Sequence, residues 1–253
     1  MSAALAVHEL RLSIGGAVIL DGIELTVPGG ELLGVIGPNG AGKTTLFNVL
    51  SGIVAPSVGR VELDGVEITA ASPDRRARSG LGRSFQTSSL FAKLPVLENV
   101  RIAAESAGGH RLGVRALVTR PRPDDAATTA ARELLARVGL QGRAAVPAAA
   151  LSHGEQRKLE IAMLLASQAR VLLLDEPMAG VAAGDVDELV ELIRAVHRDT
   201  GCTLLMVEHH MPVVLGLAQR VAVLHHGRLL ACAAPEAVMA DPEVQAAYLG
   251  RSA

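Results

Sequence analysis

Apolar and polar residues alternate along the first part of the chain, from about Leu5 to Val27, with Gly15-Gly16 in the middle. This two-residue period predicts a pair of antiparallel strands joined at the glycines. The segment GRVELDGVEI, residues 59–68, alternates in the same way and is predicted to turn at Asp64-Gly65. The pattern therefore predicts an antiparallel β region near the N-terminus.

Short continuous apolar runs follow a different pattern, which is typical of buried strands. They are LLGVIG (residues 32–37), VLLLDEP (171–177) and TLLMVEHH (203–210). Between them, residues 72–166 show mostly helical patterns with a Pro- and Arg-rich interruption at 111–123, and residues 185–198 form an amphipathic run. We interpret residues 144–150 as a connector and RVAVLHHGRLLACA as a final hairpin turned near Gly227. Strands that alternate with helices predict a mainly parallel sheet.

The segment GPNGAGKT, Gly37 to Thr44, has the spacing G-x-x-x-x-G-K-[ST] and lies between a predicted strand and a predicted helix. Glycine lets the backbone of such a loop curl so that several amides point at phosphate oxygens. We expect Lys43 to contact the β and γ phosphates and Thr44 to bind Mg²⁺. The segment therefore predicts a nucleotide-binding phosphate loop.

Charged and polar residues end the two later apolar strands. Asp175 is placed to hold Mg²⁺ through water, and Glu176 beside it is placed to polarise an attacking water. His209 is a candidate for contacting the γ phosphate and holding that water in line, and a purely structural role is its alternative. No spacing among the histidines indicates a zinc site.

The segment LSHGEQRKLEIA, Leu151 to Ala162, starts a strongly helical run. Ser152 can cap this helix, and Glu155 three residues later completes a capping box. One interpretation is an ordinary helix start. The other is that the exposed amides and positive dipole end of the helix bind an anion.

Composition limits the classes of function. The chain has 253 residues and a net charge of −2, which argues against a general nucleic-acid binder. Its two cysteines, Cys202 and Cys232, fit a reduced intracellular protein. The start MSAALAVHEL lacks the features of a secretory signal, and no run of about eighteen apolar residues is free of charge or proline. We therefore expect any membrane role to depend on a partner.

The chain resembles the ATP-binding subunits of ABC transporters over nearly its whole length. The resemblance rests on the order and spacing of four features: the phosphate loop, LSHGE, VLLLDEP and His209. The resemblance implies an α/β fold, with a P-loop NTPase core, an N-terminal antiparallel β subdomain and a helical subdomain. It implies one ABC ATPase domain over 1–253, whose catalytic core spans approximately 1–90 and 165–253 and whose helical subdomain spans 91–164. It also implies that the LSHGE helix faces the γ phosphate of ATP held by a second subunit.

The resemblance assigns roles residue by residue. The Walker A segment corresponds to Gly37, Pro38, Asn39, Gly40, Ala41, Gly42, Lys43, Thr44 and Thr45. Gln86 in RSFQ matches the glutamine that senses Mg²⁺ and faces the membrane partner. Ser152 and Gly154 match the signature residues, and Asp175 matches the Walker B carboxylate. Glu176 matches the catalytic base, and His209 matches the switch histidine. The implied cofactors are ATP and Mg²⁺, with Thr44, Gln86 and Asp175 at the metal.

Within the family, the chain is most similar to branched-chain amino-acid importers in three segments, GLGRSFQTSSLFAKLPVLENV, LSHGEQRKLEIA and DPEVQAAYLG. Such importers have two ATPases, and the RSFQ form with the long insert after Val100 indicates the larger one. Urea or amide importers and exporters of lipid or lipopolysaccharide share much of this pattern. The implied partners are a second ATPase subunit or a second copy, permease subunits and, indirectly, a solute-binding protein. The implied location is the cytoplasmic face of the inner membrane.

Three positions depart from the family pattern. Ile14 lies where relatives offer an aromatic ring to adenine, and the chain has no Trp and only one Tyr, Tyr248. Ala182 lies where relatives carry Asn or Asp, a side chain that communicates between the two sites. His153 replaces a glycine. The first two departures concern nucleotide affinity and cross-site coupling.

Other classes of protein also use a phosphate loop. A small-molecule kinase would need an acceptor pocket and has no use for a signature helix. Soluble ABC ATPases of DNA repair or translation usually carry two cassettes or long coiled-coil inserts, whereas this chain has one compact cassette. A non-hydrolysing regulatory module is expected to lose Glu176 or Lys43, and both are present.

Overall fold

The structure is a computed structural model, and it describes residues 3–84, 90–107 and 126–249. Its strands are β1 (Ala3–Ile14), β2 (Ala17–Pro28), β3 (Leu32–Ile36), β4 (Val58–Leu63), β5 (Val66–Glu67), β6 (Leu81–Arg83), β7 (Val171–Asp175), β8 (Thr203–Val207), β9 (Arg220–His225) and β10 (Arg228–Ala233). Its α-helices are α1 (Lys43–Leu50), α2 (Pro73–Arg78), α3 (Val96–Ala107), α4 (Ala126–Arg137), α5 (His153–Ala166), α6 (Ala183–Thr200), α7 (Met211–Leu217), α8 (Pro235–Ala240) and α9 (Pro242–Leu249).

The predicted antiparallel region forms a four-stranded sheet in the order β2-β1-β4-β5. In β1, Leu5 pairs with Val27 of β2 on one side and with Leu63 of β4 on the other. The predicted turn at Asp64-Gly65 is confirmed, because both residues have positive φ angles, 49° and 75°. Two such residues in succession are what a two-residue hairpin turn of this type requires.

The second sheet has six strands in the order β10-β9-β3-β8-β7-β6. The pairs β9–β3, β3–β8, β8–β7 and β7–β6 are parallel, and only β10 runs antiparallel to its neighbour β9. This confirms the mainly parallel sheet. Val207 pairs with Val35 of β3 and with Asp175 of β7, so the carboxyl ends of these three strands meet at one edge. Ligands of open α/β sheets bind outside that edge.

Two hydrophobic cores lie on opposite faces of the six-stranded sheet. Alternate residues of one strand enter different cores: in β7, Leu172 and Leu174 face one core, and Val171 and Leu173 face the other. The first core also contains side chains of α3 to α8, and the second fills the space to the antiparallel sheet and α1. Both faces of the strands are covered, which is why their sequences are continuously apolar.

The strand β6 was not predicted, because residues 72–166 were expected to be mostly helical. It has only three residues, one of them Gly82, and it pairs with β7 at the sheet edge. The neighbouring strand, and not a local pattern, determines its conformation. The expected connector at 144–150 ends in a short 3-10 turn, Ala148–Ala150. The predicted interruption at 111–123 lies outside the described residues.

Helices α3, α4 and α5 pack against one another through Val100, Leu135 and Leu159, all fully buried. They belong to the segment expected to form a helical subdomain, whose boundaries stay a prediction. In the part of the chain that the structure describes, none of the helices combines the length and the apolar character that crossing a membrane demands.

Candidate nucleotide site

The segment Gly37 to Thr45 forms the loop between β3 and α1 and the first turn of that helix. A Cβ on Gly37 would lie 2.2 Å from the carbonyl oxygen of Leu224, so only glycine allows this close approach to β9. Gly42 has φ 104°, and a Cβ there would lie 2.9 Å from Leu20. Its position directly before α1 leaves the first amides of that helix without a side-chain cap. Such amides form an anion site at the helix N-terminus.

The ammonium group of Lys43 folds back over its own loop. Nζ donates to the carbonyl oxygens of Gly37 at 2.7 Å and Pro38 at 3.0 Å, and the residue is buried. Burial lowers the pKa of Lys43, and the carboxylates of Glu176 and Asp175 oppose that shift. The cation is thus held inside the loop by the loop's own carbonyl oxygens. Thr44, next along the helix, is exposed.

Asp175 ends β7 in a buried ion pair. Its Oδ2 lies 2.8 Å from Nη2 of Arg83, and both side chains are almost fully buried. Nη1 of the same guanidinium donates to Oδ1 of Asn48 at 2.8 Å and to Oγ of Ser51 at 2.7 Å. Arg83 therefore connects the strand-end carboxylate to the helix that follows the phosphate loop, and it also lies over the ring of Phe47.

Glu176 and His209 come together at the same edge of the sheet. Nε2 of His209 lies 2.8 Å from Oε1 of Glu176, although the residues are 33 positions apart. Glu176 has φ 49°, a left-handed conformation that is uncommon for a residue other than glycine. Its backbone N–H donates to Val207 of β8, which fixes the turn at the end of β7. Strained backbone of this kind is concentrated at functional sites.

The start of α5 has the predicted capping box. Oγ of Ser152 accepts from the N–H of Glu155 at 3.2 Å, and the Glu155 carboxylate accepts from the N–H of Ser152 at 2.9 Å. These hydrogen bonds lower the pKa of Glu155, and the side chain of Arg143 adds to the shift. Gly154 is buried, with Asp185 of α6 at 3.3 Å from the position of a Cβ. Ser152 itself is exposed at the helix start.

Gln86 lies outside the described residues. The residues before it, Arg83 and Ser84, belong to or follow β6 directly, and Oγ of Ser84 accepts from the N–H of Asp175 at 3.2 Å. The segment that precedes Gln86 is therefore tied to the strand that ends in Asp175.

Sequence reasoning missed two residues at this site. Arg83 belongs to the quoted RSFQ segment, but its pairing with Asp175 spans 92 positions and left no local signal. Glu208 directly precedes His209, and its buried carboxylate accepts from backbone groups on two loops. A carboxylate at the end of a fully apolar strand was the available signal for Glu208.

The departures at Ile14 and Ala182 both lie within the described residues. Ile14 is 56% exposed at the end of β1, and Val18, which lies across the same hairpin, is equally exposed. Ala182 is the N-cap of α6 and makes no side-chain cap hydrogen bond. The hairpin thus presents aliphatic surface and α6 begins without a polar cap.

Comparison with known proteins agrees with this geometry. The sequence profile described as ABC transporter matches residues 20–179, and one described as branched-chain amino acid ATP-binding cassette transporter matches residues 228–253. The chain is 36% identical to the high-affinity branched-chain amino acid transport ATP-binding protein LivG of Salmonella typhimurium, over 98% of both chains. It is 35% identical to BraF of Pseudomonas aeruginosa, which has the same description, again over 98% of both.

The chain also superposes on a solved structure, which is the ADP conformation of MJ1267, an ATP-binding cassette of an ABC transporter. The TM-score is 0.85 at 28% sequence identity, and the match covers 99% of this chain and 100% of the other. The chain belongs to the ABC transporter family, as an ATP-binding subunit that hydrolyses ATP. Family membership decides against the small-molecule kinase. The role of the LSHGE helix as a signature sequence stays a prediction.

Proposed function

We propose that Lys43, Glu176 and His209 perform ATP hydrolysis in this chain, and that hydrolysis drives import of branched-chain amino acids through permease subunits. The observation that supports the chemical roles best is the 2.8 Å contact between His209 and Glu176. It lies at the sheet edge where β3 also ends and the phosphate loop begins.

Each residue has a distinct role. The amides of the phosphate loop and the ammonium of Lys43 bind the phosphates, and the lysine exchanges its loop carbonyls for phosphate oxygens. Glu176 accepts the proton of the attacking water as general base. His209 holds Glu176 through Nε2 and contacts the γ phosphate, so that the water is aligned with the bond that breaks.

The oxygen ligands present suit Mg²⁺, which prefers carboxylate, hydroxyl and phosphate oxygens. Thr44, Asp175 and, outside the described residues, Gln86 would hold it. Bound there, the ion would neutralise charge on the β and γ phosphates. Arg83 compensates the negative charge of Asp175 within the protein, so the carboxylate is already oriented.

Replacing the general base tests these roles. Glu176→Gln is expected to lower ATP turnover by about 10²–10⁴-fold, because it cannot accept the proton, while ATP still binds. Glu191→Gln on the exposed face of α6 is the matched control and should hydrolyse at the parent rate. Hydrolysis by Glu176→Gln at the parent rate would refute the assignment.

Lys43→Ala is expected to act at the binding step. Loss of a hydrogen bond from a charged group costs about 1.5–3 kcal/mol, so the Kd for ATP should rise by roughly 10- to 150-fold. Lys93→Ala, an exposed lysine elsewhere, is the control. Titration with a fluorescent ATP analogue measures both variants.

The permease is proposed to contact a groove between α2, β6, α3 and α5. This groove has a volume of about 410 Å³ and is lined largely by apolar side chains, among them Ile53, Leu81, Leu90 and Leu164. It borders Ser84, two residues before Gln86.

We place the assembled protein at the cytoplasmic face of the membrane, with residues 91–164 as the helical subdomain.

The substrate proposal rests on the names of LivG and BraF and on the match over residues 228–253. Purification from the native membrane and identification of the co-purifying permease would test the partners. Deletion of the gene is expected to abolish uptake of labelled leucine, isoleucine or valine and to leave uptake of urea unchanged. Loss of urea uptake alone would assign the protein to the alternative class of importer.

A further inference from the structure

Glu208 lies directly after β8, between the strand and His209, and its side chain is only 2% exposed. Oε1 accepts from the backbone N–H of Met178 at 3.0 Å. Oε2 accepts from the backbone N–H groups of His209 at 2.7 Å and His210 at 3.0 Å. One buried carboxylate therefore joins the loop after β7 to the loop after β8.

These hydrogen bonds complete a closed ring through the hydrolytic pair. Met178 follows Glu176 by two residues, and Ala179 donates from its N–H to the Glu176 carbonyl, which closes the turn. On the other side, Glu208 fixes the backbone of His209, and the His209 ring contacts the Glu176 carboxylate. If either loop moved alone, the distance between Glu176 and His209 would change. Glu208 opposes such a movement because it is hydrogen-bonded to both loops.

We propose that Glu208 is a positioning residue for ATP hydrolysis, which sets the relative position of Glu176 and His209. This inference rests on the proposed roles of those two residues. Glu208 acts through the loops, because its side chain is buried and its oxygens accept from three main-chain donors. The ring nitrogen Nδ1 of His210 also lies 3.3 Å from Oε2, within the same loop. By accepting from the N–H of Met178, Glu208 also restrains the turn that begins at Glu176, whose φ is 49°.

The chemistry requires a carboxylate. An ionised carboxylate has two accepting oxygens, so it serves the loop of Met178 with one and the loop of His209 with the other. Glutamine has one accepting oxygen, and its amide nitrogen would face a backbone N–H donor on the remaining side. Glu208→Gln keeps the shape of the side chain and disconnects one of the two loops.

A double-mutant cycle in the full-length protein tests this role. Glu208→Gln is expected to lower ATP turnover by about 10- to 100-fold, since small misplacement of reacting groups has effects of that size. In a His209→Ala background the same substitution should lower turnover by less than about threefold, because coupled residues are not additive. The Kd for ATP should stay within about twofold of the parent value, since the phosphate loop is unchanged.

Glu31→Gln is the matched control. Glu31 is also a buried glutamate, but it precedes β3 at the opposite end of the sheet and pairs with Arg220. We expect it to leave turnover unchanged. A purely structural role for Glu208 would lower turnover by the same factor with and without His209, and that result would overturn the proposal, as would parent-level turnover of Glu208→Gln.

Amide hydrogen exchange gives a readout that does not depend on hydrolysis. In Glu208→Gln the N–H groups of Met178 or of His209 and His210 are expected to exchange faster than in the parent, and those of β3 to stay protected. Unchanged exchange at all three amides would overturn the proposal. If His209→Ala hydrolyses ATP at the parent rate, the proposed role of His209 fails instead, and exchange still decides whether Glu208 joins the loops.

Discussion

At the scale of single residues, the hairpin between β1 and β2 is where the family resemblance predicts contact with the adenine base. Ile14, predicted to lie where relatives offer an aromatic ring, is exposed, and its neighbour Val18 is exposed as well. Aliphatic side chains can pack on a base, but they lack the π face on which bases stack. Stacking is worth about 1–3 kcal/mol per base and accepts any base.

We predict that ATP and GTP bind within about tenfold of each other, a difference of at most 1.4 kcal/mol. Ile14→Tyr should tighten both nucleotides by about tenfold or more through stacking, and Ile14→Leu should change neither. Titration of both nucleotides against Glu176→Gln measures this without turnover. A strong preference of the parent for ATP would mean that another residue recognises adenine.

At the scale of elements, a buried arginine secures the end of the phosphate-loop helix. Nη1 of Arg76 donates to the carbonyls of Val49 and Leu50, the last two residues of α1, at 2.6 and 2.7 Å. Nη2 and Nε donate to the carbonyls of Thr69 and Ala71. Burial lowers the pKa of Arg76. The cation satisfies carbonyls that a helix C-terminus leaves without partners and complements the helix dipole.

Arg76→Met is therefore expected to lower the free energy of unfolding by about 3–5 kcal/mol, because buried carbonyls lose their donors. Arg76→Lys keeps the charge but has only three donors, so its loss should be smaller. Arg75→Met, on the exposed face of α2, should change stability by less than about 0.5 kcal/mol. Urea unfolding compares the three variants.

Helix α6 begins without a side-chain cap, because Ala182 is its N-cap. Ala182→Asp should raise the free energy of unfolding by about 1 kcal/mol, since its carboxylate can accept from the N–H of Gly184 or Asp185. Ala183→Asp, one position later, adds the same charge near the dipole but does not occupy the cap. A similar gain in both variants would show that charge alone accounts for the effect.

At the scale of the whole molecule, the family resemblance predicts that the helix beginning at Ser152 completes the ATP site of a second subunit. Ser152 is exposed, and its hydrogen bonds within the described residues remain within its own helix start. Association costs about 4–15 kcal/mol of translational and rotational freedom. Bound nucleotide can offset this cost, because the γ phosphate adds negative charge that the amides and the positive dipole end of the helix complement.

We predict that the isolated protein is mostly monomeric with weak basal hydrolysis, and that Mg-ATP promotes dimers of Glu176→Gln. Light scattering with and without Mg-ATP measures the change in mass. Ser152→Arg should abolish hydrolysis and leave ATP binding to the monomer intact, whereas Ser106→Arg on α3 should leave both intact. Loss of monomer ATP binding in Ser152→Arg would place the helix at its own chain's site.

The sequence by itself determined the elements that repeat a local pattern. The alternation around Leu5 to Val27, the apolar runs of β3, β7 and β8, and the capping box at Ser152 each follow from residues a few positions apart. The phosphate loop was predicted for the same reason, because its glycines and Lys43 are contiguous. The order of the motifs carried the family resemblance, which added a P-loop NTPase core and a helical subdomain to the expected fold.

The tertiary structure alone decided which distant residues meet. The order β3-β8-β7 places His209 against Glu176, and it lets Glu208 reach Met178 across 30 positions and Arg83 reach Asp175 across 92. The three-residue strand β6 exists only because β7 pairs with it. Local periodicity indicates which face of an element is buried. Strand order, ion pairs and buried hydrogen bonds instead depend on residues that folding brings together. A single sequence contains no information on the distances between such residues.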